Sequence, residues 1–214
     1  NASCKVSPME AHKYFLATTS ETNTDIKFLN KLGEQIPKGQ IPVDFMRNFS
    51  TEEIKNVLTR AKDTAPGCDG VRYKHILDMD STHEILSTLY NEVKNKRRIP
   101  QLWKESETTL IHKGGDESDL SNWRPISLMS VFYKLYSGLW NNRLKSVKGI
   151  ISKAQRGFSN RNGCADSIAL LRAAIEHGRA SFGSMAVAWL DLTNAFGSVP
   201  HELITSSLSF FGLP

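Results

Sequence analysis

Residues 185–190 form the longest uninterrupted apolar stretch of the sequence, and Asp191 follows them directly. A continuous apolar run of that length predicts a strand buried on both faces. The carboxylate would then sit at the strand's end, held rigidly and facing a crevice. An ionised carboxylate taken out of water needs a cation or strong donors. A divalent ion is one answer: Mg²⁺ favours one or two carboxylates completed by phosphate oxygens and water. In phosphoryl transfer two such ions activate the attacking oxygen and steady the leaving one. That chemistry needs a further carboxylate from elsewhere. An Asp after a strand is also an ordinary turn former or helix cap. Taken alone, the segment favours that plainer reading.

The elements that must position such a site are readable in outline. Residues 8–20 predict a short helix, with Met9, His12, Phe15 and Leu16 at helical spacing. Residues 20–48 lack clear periodicity and contain Gly33, Pro37, Gly39 and Pro42, so they predict a loop or extended crossing. Ser50-Thr51-Glu52-Glu53 is a capping box opening a helix to about Lys62, with Ile54, Val57, Leu58 and Ala61 as its apolar stripe. Residues 65–70, Ala-Pro-Gly-Cys-Asp-Gly, predict a turn. Ser81-Thr82-His83-Glu84 repeats the capping pattern before a helix ending in the basic 94–98 run. Residues 107–113 and 124–129 predict two strands around a polar loop. Helices follow over 131–145 and after Arg161-Asn162-Gly163, the latter with Ile168, Leu171, Ala174 and Ile175 on one face. A last helix starts at Pro200 and ends at Gly212 and Pro214.

Composition narrows the class. Of 214 residues, 40% are hydrophobic, as in a soluble globular protein, and net charge is +5. No run of about 18 apolar residues predicts a membrane span. Cys4, Cys68 and Cys164 are too few and too scattered for a disulfide framework or a Cys-x-x-Cys zinc site, so a reducing, intracellular setting is expected. The first residue is Asn1, with no signal-peptide pattern, which suggests a piece of a longer polypeptide. Basic residues crowd the middle from Lys94 to Arg161, interleaved with Trp103, Trp123, Phe132, Tyr133, Tyr136 and Trp140. That pattern suits phosphate neutralisation and base stacking. It suits solvated helix faces over an aromatic core equally well.

Four ordered motifs carry a resemblance. Asp191-Leu192-Thr193-Asn194-Ala195-Phe196 matches the Asp-x-x-x-Ala-Phe first catalytic motif of reverse transcriptases, and the stretch through Val199-Pro200-His201 resembles the non-long-terminal-repeat retrotransposon branch. Residues 65–70 resemble that branch's first fingers element. Ile111-His112-Lys113-Gly114-Gly115 with residues 122–128, Asn-Trp-Arg-Pro-Ile-Ser-Leu, resembles its fingers hairpin. Residues 155–159, Gln-Arg-Gly-Phe-Ser, with Gly163-Cys164 resemble the next element. The resemblance spans about residues 50–214.

It implies an α+β, helix-rich and incomplete domain: the fingers of a right-hand polymerase with part of the palm. Residues 1–49 would lead into the fingers, 50–183 would form them, and 184–214 would begin the palm. Asp191 would ligate two catalytic Mg²⁺ ions, with the Leu192 carbonyl helping one of them. Lys113 and Arg124 would grip the triphosphate, Lys as a compact charge and Arg as a fork matching phosphate oxygens. Asn194 and Ala195 would lie under the nucleotide, and Phe196 would be the steric gate against a 2′-hydroxyl. Asp69, Gly70, Gln155, Arg156, Gly157 and Phe158 would lie near the template. Residues 65–70 read equally well as a tight turn, and Gly157 and Gly163 as chain geometry. The implied partners are an RNA template, a DNA primer and deoxynucleoside triphosphates, with action in the nucleus.

Two departures matter. Gly197 stands where many family members carry a second Asp. The second catalytic motif, an aromatic-x-Asp-Asp, is absent from these residues and would lie beyond Pro214, so residues 1–214 alone are expected to be inactive. The rival expectation is a non-catalytic nucleic-acid-binding remnant of a retrotransposon. A metal-dependent nuclease would need a local carboxylate cluster, and none stands at a persuasive spacing. The Gly-x-x-x-x-Gly-Lys-Ser/Thr of P-loop enzymes is absent.

Overall fold

Local capping sets the start of a central helix. The Ser50 hydroxyl accepts from the Glu53 amide at 3.2 Å, and the Glu53 carboxylate accepts from the Ser50 amide at 3.0 Å. Two otherwise orphaned donors are thereby satisfied where α3 (Thr51–Arg60) begins. The computed structural model describes residues 4–18, 25–36, 38–159, 162–183, 185–191 and 197–214. It is a mixed helix and strand protein. Two compact units divide it: Asn1–Glu21 with Gln40–Val147, and Thr22–Gly39 with Lys148–Pro214.

The first unit contains α1 (Pro8–Thr18), α3, α4 (Tyr73–Met79), α5 (Glu84–Lys96), α6 (Gln101–Lys104), β1 (Ser106–His112), β2 (Trp123–Met129) and α7 (Val131–Ser146). β1 and β2 form an antiparallel hairpin. Helix α3 packs on α5 and α7, and α6 packs on α7. Their shared core holds Phe49, Ile54, Leu58, Ile76, Leu86, Tyr90, Val93, Trp103, Val131, Leu135, Tyr136 and Leu139. Phe49 meets Trp140 edge to face, with centroids 5.1 Å apart, and Trp103 stacks on Phe132. Such pairs add about 0.5–1.5 kcal/mol beyond burial. The interleaved aromatics of the middle are therefore packing residues: Trp103, Trp123 and Tyr136 are buried and cannot present a face to a base.

The start of α5 differs from the expected capping box. His83 is its N-cap in a left-handed conformation, and no cap bond comes from its side chain. The buried Asp80 carboxylate instead accepts from the Leu86 amide at 2.8 Å. A carboxylate serves this end better than a hydroxyl because it carries full charge toward the positive helix terminus.

The second unit contains α2 (Ile26–Gln35), α8 (Gly163–Phe182) and α9 (His201–Phe210). Helix α2 lies inside the segment expected to be a loop. Asp25 starts it, its carboxylate accepting from the Lys27 and Phe28 amides at 2.8 and 3.3 Å. Gly33, which argued against a helix, is a packing site: a Cβ there would fall 2.5 Å from the Phe210 ring of α9.

The strand expected over residues 185–190 is not present. These residues form no regular element and are exposed, Trp189 by 78% and Leu190 by 96%. A strand buried on both faces needs hydrogen-bonded neighbours and a layer on each side. Among the described residues β1 and β2 make the only sheet. Apolar run length reports a capacity for burial, and the partner strands that would use it are a separate requirement.

Candidate nucleotide and nucleic-acid interface

The hairpin is built by alternation. Register pairs Ile111 with Arg124, Thr109 with Ile126 and Glu107 with Leu128 on one face. Beyond the strand, the Lys113 amide donates to the Asn122 carbonyl at 2.8 Å, which continues the ladder by one pair. Lys113 therefore shares the face of Ile111 and Arg124, diagonally across from the arginine. All three side chains are exposed. The two cations predicted to act together are brought together.

The loop between the strands satisfies two of its three acids from within, and Lys5 lies 3.2 Å from the third, Glu117. Asp116 accepts from the Ser118 amide and hydroxyl at 2.9 and 2.8 Å, and these bonds hold its carboxyl below the usual range. Asp119 accepts from the Ser121 amide at 2.9 Å. The Trp123 indole donates to the Glu117 carbonyl at 3.0 Å, pinning the loop to β2. Lys113 and Arg124 form no ion pair among the described residues. The Lys113 ammonium donates to the Ser121 carbonyl at 3.0 Å. Lys113 and Arg124 thus stand exposed, while Asp116 and Asp119 turn onto loop amides and Glu117 lies 3.2 Å from Lys5.

Residues 65–70 form the predicted turn, closed by the Gly70 amide donating to the Gly67 carbonyl at 3.0 Å. A Cβ on Gly67 would lie 2.6 Å from the Ser130 nitrogen and 2.7 Å from the Met129 carbonyl carbon. Only glycine lets the turn rest on the junction of β2 and α7. Lys134 secures it, donating from α7 to the Ala65 carbonyl at 2.8 Å. Asp69 accepts from the Val71 amide at 3.1 Å, while its other carboxylate oxygen is buried with no hydrogen-bond partner among the described residues. Gly70 has φ +65° and open space around it. The turn and the hairpin are therefore linked through the root of β2.

The second unit carries the remaining predicted residues. Gln155 donates to the Gly157 carbonyl at 2.9 Å, closing a small loop. Phe158 has φ +56° and is 85% exposed. Arg156 lies 3.6 Å from Asp166 near the start of α8, and a Cβ on Gly163 would meet Arg156 at 2.9 Å. Asp191 is exposed. Leu192, Asn194, Ala195 and Phe196 lie outside the described residues. Among the described residues no three His, Cys, Asp or Glu side chains gather closely enough to hold a metal ion. Asp191 would bring a hard oxygen donor suited to Mg²⁺ but needs other donors to complete a site. No helix among the described residues is long and apolar enough to cross a membrane.

Composition and spacing did not single out Arg143. It is 8% exposed on the side chain and bonds Glu53 at 3.0 and 3.1 Å. It also donates to the carbonyls of Phe45, Arg47 and Asn48 at 2.7, 2.7 and 3.1 Å. Its guanidinium carbon lies 4.2 Å from the Phe49 ring centre. Its role is to clasp residues 45–48 onto α3 and α7.

Comparison with known proteins agrees with the motif order. Residues 111–214 match the family described as reverse transcriptase (RNA-dependent DNA polymerase). Over 168 residues the chain is 32% identical to the Retrovirus-related Pol polyprotein from type-1 retrotransposable element R2 of Nasonia vitripennis, covering 78% of this chain and 16% of that protein. The corresponding protein of Popillia japonica is 30% identical over 168 residues, covering 78% of this chain and 23% of its own length. The RNA-directed DNA polymerase from mobile element jockey of Drosophila melanogaster is 30% identical over 160 residues, covering 70% of this chain and 17% of that protein. The chain thus spans less than a quarter of each of these relatives. Ordered motifs and these matches agree: the chain belongs to the reverse transcriptase family, among those of non-long-terminal-repeat retrotransposons.

Proposed function

We propose that this chain supplies the fingers and the first palm segment of an RNA-directed DNA polymerase of a non-long-terminal-repeat retrotransposon, acting in the nucleus. The observation that carries the reading is the shared exposed face of Lys113 and Arg124, within a stretch that matches the family. Lys113 and Arg124 bind the triphosphate of an incoming deoxynucleotide. Residues 65–70 and 155–158 bear on the template strand. The 3′-hydroxyl of a DNA primer attacks the α-phosphate, and pyrophosphate leaves. Two Mg²⁺ ions, when bound, neutralise charge on the phosphates and lower the barrier to attack. Asp191 and the Leu192 carbonyl would help hold them, with a second carboxylate pair from outside these residues. Asn194 and Ala195 underlie the nucleotide, and Phe196 excludes a 2′-hydroxyl. The contribution of this chain is positioning and charge complementarity.

Primer extension on an RNA template by the longer polymerase tests this. Asp191→Asn should lower the rate by orders of magnitude while template affinity stays within about twofold, because a neutral amide cannot replace an ionised metal ligand. A near-normal rate would remove Asp191 from the metal site. If the unsubstituted polymerase binds RNA but extends no primer, the non-catalytic remnant is the better reading.

A further inference from the structure

We infer that the corner where α5 ends and α6 begins, carrying Arg97 and Arg98, binds the phosphodiester backbone of nucleic acid. This goes beyond the polymerase reading and uses neither the hairpin nor Asp191. Among the described residues, His83, Arg97 and Phe158 are the non-glycine residues with positive φ. His83 has a structural reason: it is buried, and its ring nitrogen lies 3.0 Å from the Asp80 carbonyl. Phe158 belongs to the element proposed above to bear on the template. Arg97 caps α5 at φ 50° and ψ 32°, a conformation that glycine adopts freely and other residues adopt at a cost.

Nothing in the fold calls for arginine there. The helix is closed by backbone groups, the Arg97 amide donating to Lys94 at 3.1 Å and the Arg98 amide to Val93 at 3.3 Å. Any residue but proline supplies those bonds, and glycine would supply them without strain. The negative end of the helix dipole is already met by Lys94 and Lys96 in its last turn. Lys94 is engaged with the Met46 carbonyl and the Asn48 side chain at 2.9 and 2.8 Å, and Lys96 with Glu92 at 2.9 Å. The Arg97 and Arg98 side chains are exposed and form no ion pair or hydrogen bond among the described residues. Residues 92–105 hold five basic side chains against Glu92 and Glu105, and Glu92 is taken up by Lys96. Exposed guanidinium groups on a locally basic segment match phosphate oxygens in charge and in fork geometry.

The test is binding of the 214-residue chain to labelled single-stranded RNA and duplex DNA of unrelated sequences across a salt series. Arg97→Gly/Arg98→Gln is compared with Arg97→Lys/Arg98→Lys. Loss of two phosphate contacts should flatten the slope of log affinity against log salt by about 1.4 on single strands or about 1.8 on duplex, equally for all sequences. The lysine pair should keep the slope. Arg97→Gly alone should not lower the melting temperature and should raise it by about 2–4 °C, because it relieves the left-handed arginine. A change on RNA only, on DNA only, or on both supports the site and identifies the polymer it takes. Unchanged slopes on both overturn it. So does a loss of affinity accompanied by a lower melting temperature for Arg97→Gly, or displacement of nucleic acid by poly-glutamate at equal charge concentration. Because the readout is binding, failure here leaves the polymerase reading intact, and a failed extension assay leaves this site intact.

Discussion

Lys113 and Arg124 share a face but hold their charges differently. The Lys113 ammonium is tied to the Ser121 carbonyl, whereas Arg124 is exposed on the strand without an ion pair among the described residues. A triphosphate would displace or share the lysine's carbonyl contact and would meet the arginine directly. Arg124→Lys keeps the charge and loses the fork. Steady-state primer extension should show its KM for deoxynucleotide raised about tenfold, since a hydrogen bond to a charged group is worth about 1.5–3 kcal/mol. RNA affinity should barely change. An unaltered KM would take Arg124 out of the nucleotide site. Phe196→Val belongs to the same scale, although Phe196 lies outside the described residues. A smaller side chain at the proposed gate admits a 2′-hydroxyl, so ribonucleotide incorporation should rise relative to deoxynucleotide. Equal discrimination by the two proteins would assign the gate to another residue.

At the scale of elements, the Arg143–Glu53 clasp decides whether residues 45–48 stay on the helices. Burial by itself would raise the Glu53 carboxyl, but hydrogen bonds from Arg143 and Ser50 and the charges of Arg143 and Arg47 outweigh it, and the net shift is downward from 4.5. A carboxylate with a depressed folded value stabilises fully above its unfolded value, and that stabilisation is lost as pH falls through the folded one. Glu53→Gln should therefore be clearly less stable than the parent at pH 7, with the difference shrinking below about pH 4.5. Denaturant melts at pH 7 and pH 3.5 measure it, and a constant gap would deny the linkage. Arg143→Ala should cost about 3 kcal/mol, because the Phe45, Arg47 and Asn48 carbonyls lose their donor while Glu53 keeps Arg47 and Ser50. None of this was legible in the sequence: Arg143 lies 90 to 98 positions from its partners. The capping box of α3 was legible because its residues are three apart and interact locally. The hairpin was legible because two strand-like runs flank Gly114-Gly115. Helix α2 was hidden by Gly33, whose lack of a side chain serves Phe210 rather than a turn. The apolar run before Asp191 showed what could be buried, but a strand also needs partners that periodicity cannot reveal.

The scale of the whole molecule concerns how charge and aromatic surface are divided. The chain carries a net charge of +5, yet Trp103, Trp123 and Tyr136 are committed to packing. Asp116 and Asp119 are turned onto their own loop amides, and Lys113 and Arg124 form no ion pair among the described residues. Nucleic-acid binding by residues 1–214 should then rest on phosphate contacts, with little base stacking from these rings to add sequence preference. Log affinity for single-stranded RNA should fall linearly with log salt, by about 0.7 for each phosphate neutralised. Homopolymers of different base should bind alike at a given salt concentration. A flat salt dependence, or a strong preference for one base, would mean that stacking or base-edge contacts dominate. The same preparation should extend no primer, because the second carboxylate pair is not among these residues. Extension abolished by Asp191→Ala would show that the residues present suffice for a working metal site, and the need for that second pair would fall with it.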